Sequence, residues 1–229
     1  MKELNAVLME QQLYYNDRAS EYDDWWYRRG AFDEGSAANA KWNSEAAIVQ
    51  KALDKASLEG DVLELAAGTG TWSRQLLQKA RTLTIVDGSP QMLERNPVTS
   101  DPKVAALQAD IFQWRADRSF DAVAFGFWIS HVPREMLPSF LESVAHHLRI
   151  GGKFFFVDNL GKPEASAPHV LGKSGQLMKR RLANGQVSTI VKNYFSREEL
   201  IAHCLPVGLE VEVFETPELF QYGVGHRVT

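Results

Sequence analysis

Short runs of consecutive apolar residues, separated by stretches with helical spacing, are the main pattern along this chain. A strand buried on both faces of a sheet needs such a run, whereas a half-exposed strand alternates apolar and polar residues. Five runs predict strands, at Val62–Leu65, Leu83–Val86, Val104–Ala109, Phe120–Phe127 and Lys153–Val157. Three helices are expected between them, over Trp72–Ala80, from Pro90 onwards and over Arg134–Leu148. This alternation indicates an open α/β sheet whose strands are mostly parallel.

The two ends of the chain carry patterns of their own. Apolar residues recur at helical intervals in Leu4–Tyr15, and in Asn39–Ala56 they lie along one face. We therefore expect both segments to be helices. Near the other end, Leu209–Phe214 and Phe220–Arg227 are predicted to form a final antiparallel pair of strands.

Residues 160–195 do not continue the pattern of the central sheet. Gly161–Gly175 is rich in glycine, proline, serine and lysine, which predicts a flexible insert near the ligand site. The pattern then predicts a helix over Gln176–Leu182 and a strand over Val187–Phe195. Ser196–Glu199 is a capping box, so a further helix should begin there.

Residues 1–36 are unusually rich in aromatic and charged side chains. The aromatic residues are Tyr14, Tyr15, Tyr22, Trp25, Trp26, Tyr27 and Phe32. Such a segment is too polar for a core and too aromatic for a disordered tail. It either packs as a collar over the edge of the sheet or folds as a lid over the strand ends, where ligand sites of open α/β sheets lie. We favour the lid.

The turn after the first strand is the best candidate for a ligand site. Leu65 is followed by Ala66-Ala67-Gly68-Thr69-Gly70, and a helix should open near Thr71. Glycines let the backbone approach a ligand closely, and the free N–H groups of the helix point towards it. A dinucleotide fingerprint would have a third glycine near Ser73, where none stands.

Side chains at the ends of the next strands narrow the choice of ligand. Asp87 ends the second strand, where it can accept hydrogen bonds from both hydroxyls of a ribose. Asp110 can accept from the amine of an adenine, and Ile111 can pack on its ring. His131 follows the fourth strand and is the best candidate for a general base, because its imidazole is neutral near pH 7. The alternative, that His131 only holds its loop by hydrogen bonds, stays open.

Composition limits the class of protein. The chain of 229 residues is long enough for one α/β domain, so we expect a single domain with residues 37–229 as its core. No apolar run could span a bilayer, no secretory signal opens the sequence, and one cysteine excludes an internal disulfide. We expect a cytoplasmic protein with no membrane partner and no metal.

Charge argues against nucleic acid as a partner. The formal net charge is −4, and the dense basic cluster Lys179-Arg180-Arg181 is interpreted as the solvated face of a helix. The pair His146-His147 is expected at the surface, since it has neither carboxylate nor cysteine beside it in the sequence. No periodicity predicts an oligomer interface.

Taken in order, these motifs resemble the class I S-adenosylmethionine-dependent methyltransferases. The matching segments are Glu64–Gly70, Asp87, Asp110-Ile111, Phe120–Val123 and Leu148–Lys153. The resemblance covers about Asp61 to Val157, with Ala66 and Ala67 where the family more often has Gly or Cys. It implies a doubly wound, Rossmann-like sheet of seven strands, mostly parallel with an antiparallel C-terminal strand. It also implies S-adenosylmethionine (SAM) as cofactor and a small molecule as acceptor.

The motifs and the resemblance together nominate site residues. The candidates for cofactor binding are Tyr14, Tyr22, Glu64, Ala66, Gly68, Gly70, Thr71, Trp72, Asp87, Gly88, Ser89, Met92, Asp110, Ile111, Phe125 and Gly126. The candidates for acceptor binding are Tyr15, Trp25, Trp26, Trp128, His131, Asp158, Asn159, His169 and Tyr194. In the resembling family, a pattern like the one from Tyr14 to Asp23 often contacts the cofactor, and aromatic faces attract its sulfonium cation.

The reaction implied is in-line methyl transfer to a hydroxyl or phenol of an apolar small molecule, with His131 as base. A base helps a hydroxyl nucleophile and is nearly dispensable for a neutral amine, so N- and C-methylation stay open. Two other classes share the strand–turn–helix plan, because a fold does not imply a function. They are a nicotinamide-dependent oxidoreductase and a non-catalytic cofactor-binding protein.

Overall fold

A seven-stranded sheet forms the centre of the protein, which the computed structural model describes over residues 2–161 and 169–229. The strands within these residues are β1 Gly60–Leu65, β2 Ala80–Asp87, β3 Val104–Gln108, β4 Phe120–Gly126, β5 Leu148–Asn159, β6 Val170–Ser174, β7 Leu177–Arg181, β8 Val187–Val191, β9 Leu209–Glu215 and β10 Phe220–Arg227. The order across the central sheet is β3-β2-β1-β4-β5-β10-β9. The first five of these strands are parallel, and β10 is antiparallel to both of its neighbours. The predicted Rossmann-like arrangement is confirmed.

Helices cover both faces of this sheet. In the described ranges they are α1 Lys2–Arg18, α2 Tyr22–Trp26, α3 Ser36–Ala56, α4 Ser73–Leu77, α5 Pro90–Arg95, α6 Leu137–His147 and α7 Arg197–Cys204. Side chains of α3 and α4 pack on one face, and side chains of α6 and α7 pack on the other. α4 is shorter than predicted, because β2 already begins at Ala80. None of these helices is both long and apolar enough to cross a membrane.

Alternate residues of each central strand face opposite sides of the sheet. In β1, Val62 lies in the core layer with α3, whereas Leu63 and Leu65 lie in the layer with α6. All three side chains are at most 1% exposed. Burying such a side chain stabilises the fold by about 1.5–3 kcal/mol. Burial on both faces is the reason why these strands are continuous apolar runs.

The insert forms a second sheet, which the sequence analysis did not predict. β6, β7 and β8 pair in this order as antiparallel strands. The helix predicted over Gln176–Leu182 is wrong, because most of that segment is β7, which pairs on both sides. Part of the predicted flexible segment, residues 162–168, lies outside the described residues.

The burial pattern of β7 also corrects the interpretation of the basic cluster. Met178 and Arg180 are buried, and Lys179 between them is exposed, which is the two-residue period of a strand. Arg180 is 5% exposed, so the prediction of a solvated helix face is wrong for this residue. The inner face of this sheet packs on α1 through Tyr14.

The histidine pair at the end of α6 is split between surface and interior. His146 is exposed, but His147 is fully buried, and its Nε2 accepts a hydrogen bond from the backbone N–H of Ala116 at 3.1 Å. Burial lowers the pKa of His147 to about 4. The surface location predicted for His147 is therefore wrong, because its imidazole completes the hydrogen bonding of the loop before β4. No group of three or more His, Cys, Asp or Glu residues in the described ranges could hold a metal ion.

Candidate active site

A cavity of about 440 Å³ lies at the edge of the sheet where β1 to β4 end. The strand registers align these carboxyl ends, since Leu65 pairs with both Val86 and Phe125. Helix α1 contributes one wall. The nominated residues that line the cavity are Tyr15, Tyr22, Ala66, Gly68, Asp87, Gly88, Ser89, Met92, Asp110, Ile111, Gly126, Trp128 and His131. The parallel strands thus bring together residues that are far apart in the sequence.

Asp87 presents an oriented carboxylate to this cavity. Its Oδ2 accepts a hydrogen bond from the N–H of Gly68 at 2.8 Å, and its Oδ1 accepts one from the N–H of Ser89 at 2.8 Å. Burial raises the pKa of Asp87 to about 6, against the opposing effect of these two hydrogen bonds. The same Ser89 caps α5 by accepting from the N–H of Met92. The carboxylate is therefore held in one orientation at the end of β2, beside the turn after β1.

The turn after β1 leaves room for a ligand beside Asp87. Gly68 has a φ of +53°, and a Cβ atom at this position would meet no other atom within 4 Å. Ala66 has a φ of +55°, a left-handed conformation that glycine adopts freely and that costs other residues of order 1–3 kcal/mol. Both residues line the cavity, so the backbone of the turn is open to a bound molecule.

Two nominated cofactor residues support this turn from behind and do not line the cavity. Glu64 is 1% exposed, and its Oε2 accepts a hydrogen bond from Ser73 Oγ at 2.5 Å. Burial raises the pKa of Glu64 to about 8. Gly70 has a φ of +89°, and a Cβ atom there would collide with the side chain of Asn96.

Four further nominated cofactor residues also lie outside the lining, namely Tyr14, Thr71, Trp72 and Phe125. Tyr14 packs on the second sheet, and Trp72 belongs to the core layer with α3. Phe125 stacks on Phe156 with ring centres 5.7 Å apart. A role of these residues in cofactor binding stays a prediction. Because they do not line the cavity, they could only act by positioning residues that do.

The end of β3 combines a polar acceptor with an aliphatic surface. Asp110 Oδ1 accepts from the N–H of Phe112 at 2.9 Å, and its Oδ2 accepts from Gln113 Nε2 at 2.8 Å. Ile111 is 5% exposed and lines the cavity. An adenine ring requires this combination of an acceptor for its amine and an apolar surface for its face.

Helix α1 supplies lining residues that the sequence analysis missed. Asn5, Leu8, Met9 and Gln12 line the cavity together with Tyr15. Their spacing of three or four residues places them on one face of the helix, and this spacing was the available signal. This face mixes polar and apolar residues, so the sequence analysis did not recognise it as a ligand-binding surface. The other missed lining residues are Gln11, Phe112, Gln113, Phe127 and Met136.

Tyr15 and His131 form a hydrogen-bonded pair at the cavity wall. Tyr15 Oη lies 2.8 Å from His131 Nε2, and His131 Nδ1 lies 2.7 Å from the carbonyl oxygen of Val191. A carbonyl oxygen can only accept, so Nδ1 carries the proton and Nε2 of the neutral ring accepts the hydrogen bond from Tyr15. The Nε2 atom of His131 is therefore already hydrogen-bonded to Tyr15, and a ligand would contact Tyr15 first.

Burial keeps both members of this pair neutral. Burial and the positive charges of Lys192, Arg180 and Arg18 hold the pKa of His131 well below its usual 6.5. Burial likewise raises the pKa of Tyr15 well above its usual 10. At neutral pH the cavity wall thus carries a neutral imidazole whose Nε2 accepts a hydrogen bond from a neutral phenol.

The two helices of the aromatic segment pack in different places, and the lid expected for this segment stays a prediction. α1 covers the cavity, whereas α2 folds onto α3 and the sheet. Trp26 is 6% exposed, with its ring centre 5.9 Å from that of Trp42 and 5.2 Å from that of Trp72. Trp25 packs on Phe127 with ring centres 4.8 Å apart. Both nominated tryptophans lie outside the cavity lining, because the hydrophobic core takes up their side chains.

The remaining nominated acceptor residues do not line the cavity. Asp158 is 1% exposed, and its carboxylate accepts from the N–H groups of Ser130 at 2.9 Å and Asn159 at 2.7 Å. The ring of His169 lies 5.1 Å from that of Phe32. Lys192 Nζ lies 5.5 Å from the ring centre of Tyr194. Direct contact of Asp158, Asn159, His169 or Tyr194 with an acceptor stays a prediction.

Arg18 is a buried cation beside the tyrosines of the lid. It is 4% exposed, and its guanidinium carbon lies 5.2 Å from the ring centre of Tyr22 and 5.7 Å from that of Tyr14. No carboxylate in residues 2–161 and 169–229 lies within 4.0 Å of its nitrogen atoms. The faces of the Tyr14, Tyr22 and Phe32 rings therefore surround this cation, and Arg18 itself is not among the residues that line the cavity.

Known proteins share this fold and this sequence pattern. Residues 62–152 match the family model of a methyltransferase domain. The DhpI-SAH complex is 31% identical over 97% of this chain and 97% of that chain, with a TM-score of 0.79, where SAH is S-adenosylhomocysteine. The DhpI-SAM-HEP complex is 31% identical over 96% of this chain and 97% of that chain, with a TM-score of 0.80.

A curated relative gives a shorter match. An uncharacterized methyltransferase of Staphylococcus carnosus (strain TM300) is 29% identical over 107 residues, which are 46% of this chain and 50% of that protein. The match thus spans half the length of this relative. The DhpI structures, in contrast, share nearly the whole chain at more than 30% identity and were solved with SAH or SAM. On these grounds the chain belongs to the class I SAM-dependent methyltransferases.

Proposed function

We propose that this protein transfers the methyl group of SAM to a hydroxyl oxygen of a small-molecule acceptor. The observation that carries the proposal is the hydrogen-bonded pair of Tyr15 and His131, which places a neutral proton acceptor at the cavity wall. A hydroxyl must lose its proton when it is methylated, so a site with a dedicated proton acceptor suits an alcohol or a phenol. A neutral amine needs no such group to attack.

The other end of the cavity fits the cofactor. Asp87 would hold the ribose, and Asp110 and Ile111 would hold the adenine; all three line the cavity. The fit rests on a carboxylate that two backbone N–H groups orient and on the open space at Gly68. Bound SAM supplies a methyl group already activated by the sulfonium, so the protein has to align the acceptor and exclude water.

The proton of the acceptor leaves through Tyr15. The hydroxyl passes its proton to the Tyr15 oxygen while the phenol passes its own to His131 Nε2, and Nδ1 keeps its hydrogen bond to Val191. A weak base is sufficient, because an oxygen that is being methylated becomes a far stronger acid than an imidazolium. In this path Tyr15 contacts the molecule that is methylated, and His131 binds the released proton.

The rest of the lining supports an acceptor with an apolar body. The apolar side chains of the lining, apart from Ile111 and Met92 at the cofactor end, are Leu8, Met9, Phe112, Phe127, Trp128 and Met136. Most ligand pockets combine such a surface with a few polar groups that fix the orientation. An apolar alcohol or phenol meets both requirements.

The test begins with a screen for the acceptor. Alcohols, phenols and amines are incubated with the protein and SAM that carries a labelled methyl group, and labelled products are identified. With the best acceptor, we expect His131→Ala and Tyr15→Phe to lower kcat by roughly 10²–10⁴-fold, the usual contribution of general acid–base groups. The dissociation constant of SAH should change less than about twofold, since neither residue is assigned to the cofactor.

The matched control is His226→Ala, which removes an exposed histidine outside the cavity lining. It should leave kcat unchanged. Undiminished turnover of His131→Ala at every pH, with normal SAH binding, would contradict the proposal and favour an amine or carbon acceptor.

A further inference from the structure

The turn that carries His131 is held by consecutive residues at the end of β8. The carbonyl oxygen of Val191 accepts from His131 Nδ1 at 2.7 Å. The N–H of Asn193 donates to the carbonyl of Ser130 at 2.7 Å, and Asn193 Nδ2 donates to the carbonyl of Val132 at 2.8 Å. The insert is therefore hydrogen-bonded to His131 and to the residues directly before and after it.

Lys192 lies between these two residues, and its side chain is buried. It is 1% exposed, its Nζ donates to Ser130 Oγ at 2.9 Å, and Nζ lies 3.6 Å from Asp158 Oδ1. Asp158 Oδ2 in turn accepts from the N–H of Ser130 at 2.9 Å. Both members of a buried ion pair thus bind the residue directly before His131.

This ion pair is an unusual choice for stability alone. Removing two charges from water costs several kcal/mol per ion, so a buried pair is often no better than two apolar side chains of similar size. The ion pair lies next to the proposed proton acceptor, which suggests that it affects the protonation of His131. A fixed positive charge close to an imidazole disfavours a second proton on that ring.

We infer that Lys192 and Asp158 are positioning residues, which hold the turn of His131 and keep its imidazole in the neutral form protonated at Nδ1. The inference rests on the proposed function, in which this neutral form accepts the proton. Other groups also face His131. They are Tyr15 and Arg18 of α1 and Arg180 of β7, besides Lys192 after β8. The carboxylate of Asp158 of β5 binds the neighbouring residue, Ser130.

The protonation of His131 can be measured without knowing the acceptor. The protein is labelled with ¹⁵N-histidine, SAH is added, and the nitrogen shifts of the six histidines are followed against pH. His131→Gln assigns the signal. In the wild type, we expect His131 to stay neutral and protonated at Nδ1 down to the lowest pH at which the protein remains folded. In Lys192→Met the ring should take up a second proton at a pH where the folded wild type still shows the neutral form, because a neighbouring positive charge is lost.

The sign of this shift follows from both members of the pair. Removing the ammonium takes away a charge that lowers the pKa of His131, and it leaves the Asp158 carboxylate, which favours the imidazolium. If Lys192→Met does not fold, Lys192→Met/Asp158→Asn replaces both charges by neutral groups of similar size. The double variant should also titrate at a higher pH than the wild type, though by less. Lys192→Arg, which keeps the charge, should keep His131 neutral.

Lys179→Met is the matched control, since it makes the same change at an exposed position of β7. It should leave the titration of His131 unchanged. A folded Lys192→Met protein whose His131 titrates as in the wild type would overturn the inference, even if its thermal stability were lower. Failure of the proposed function looks different, because His131→Ala would then keep its turnover while the titration shift in Lys192→Met persisted.

Discussion

At the scale of single residues, burial decides the protonation of the groups that line or support the site. Asp87 and Glu64 have their pKa values raised by burial to about 6 and about 8. His131 has its pKa lowered, with burial as the main cause. Each of the three is held by a hydrogen bond that fixes its direction, so the site is organised before a ligand arrives. The pH dependence of binding should therefore report on these groups.

Asp87→Ala should weaken SAH binding by about 1.5–3 kcal/mol, the usual value of hydrogen bonds to a charged group. In the wild type, affinity should fall as the pH drops below about 6, because ribose hydroxyls bind the ionised carboxylate and protonation competes with them. The decrease approaches tenfold per pH unit. Asp87→Ala should lose this dependence. Calorimetric titrations with SAH between pH 5 and pH 8 measure both effects.

The control for Asp87 is Glu94→Ala, which removes an exposed carboxylate from the neighbouring helix α5. Its affinity and its pH profile should match the wild type. An affinity of Asp87→Ala that equals the wild-type value would remove Asp87 from the cofactor site.

At the scale of elements, α1 joins three parts of the site through three consecutive side chains. Glu10 accepts from the N–H of Thr189 of β8 at 2.6 Å. Gln11 accepts from the N–H of Val191 at 2.9 Å and donates to the carbonyl of His131 at 3.3 Å. Gln12 donates to the carbonyl of Gly88 at 2.8 Å. The lid thus completes the outer edge of the second sheet and touches both ends of the cavity.

Gln11→Ala should loosen this lid. The change leaves the buried N–H of Val191 without its partner, which costs about 1–3 kcal/mol. We expect faster hydrogen–deuterium exchange in α1 and at the end of β8, and weaker SAH binding, because α1 lines the cavity. Gln50→Ala on the exposed side of α3 is the matched control. Unchanged exchange in α1 would show that the hydrogen bonds of Gln11 do not hold the lid.

At the scale of the whole molecule, a ligand in the cavity would contact both the central sheet and helix α1. The cavity is bounded by the central sheet on one side and by α1, docked on the second sheet, on the other. A molecule that binds both sides favours the closed, folded form over all others. Cofactor binding should therefore stabilise the protein as a whole.

Saturation with SAH should raise the melting temperature. At a concentration of one hundred times the dissociation constant, the folded state gains about 2.7 kcal/mol, which corresponds to roughly 5–10 °C for a chain of this size. NADH should give no increase, because the turn after β1 lacks the third glycine of a dinucleotide site. Differential scanning calorimetry measures both. An increase with NADH and none with SAH would reverse the assignment of the cofactor.

The sequence by itself determined the central sheet and several of the strand-end residues that line the cavity. Apolar runs and helical spacing are local patterns that report burial, so β1 to β5 could be predicted within a few residues. Asp87, Asp110 and Ile111 could be predicted because each directly follows a strand, and the ends of parallel strands meet at one edge. For these residues, knowing which strand they follow is enough to predict that they lie at the same edge of the sheet.

Only the tertiary structure decided the second sheet and the polar contacts around His131. β7 is a strand because two partners pair with it, although its residues alone also suit a helix. The pairs Tyr15–His131 and Lys192–Asp158 join residues from separate elements, and no local pattern encodes such a distance. Trp26 is a further example. The sequence does not distinguish an aromatic side chain that packs in the core, as Trp26 does, from one that contacts a ligand. Long-range packing settled each of these cases, because burial of a given side chain depends on which element folds over it.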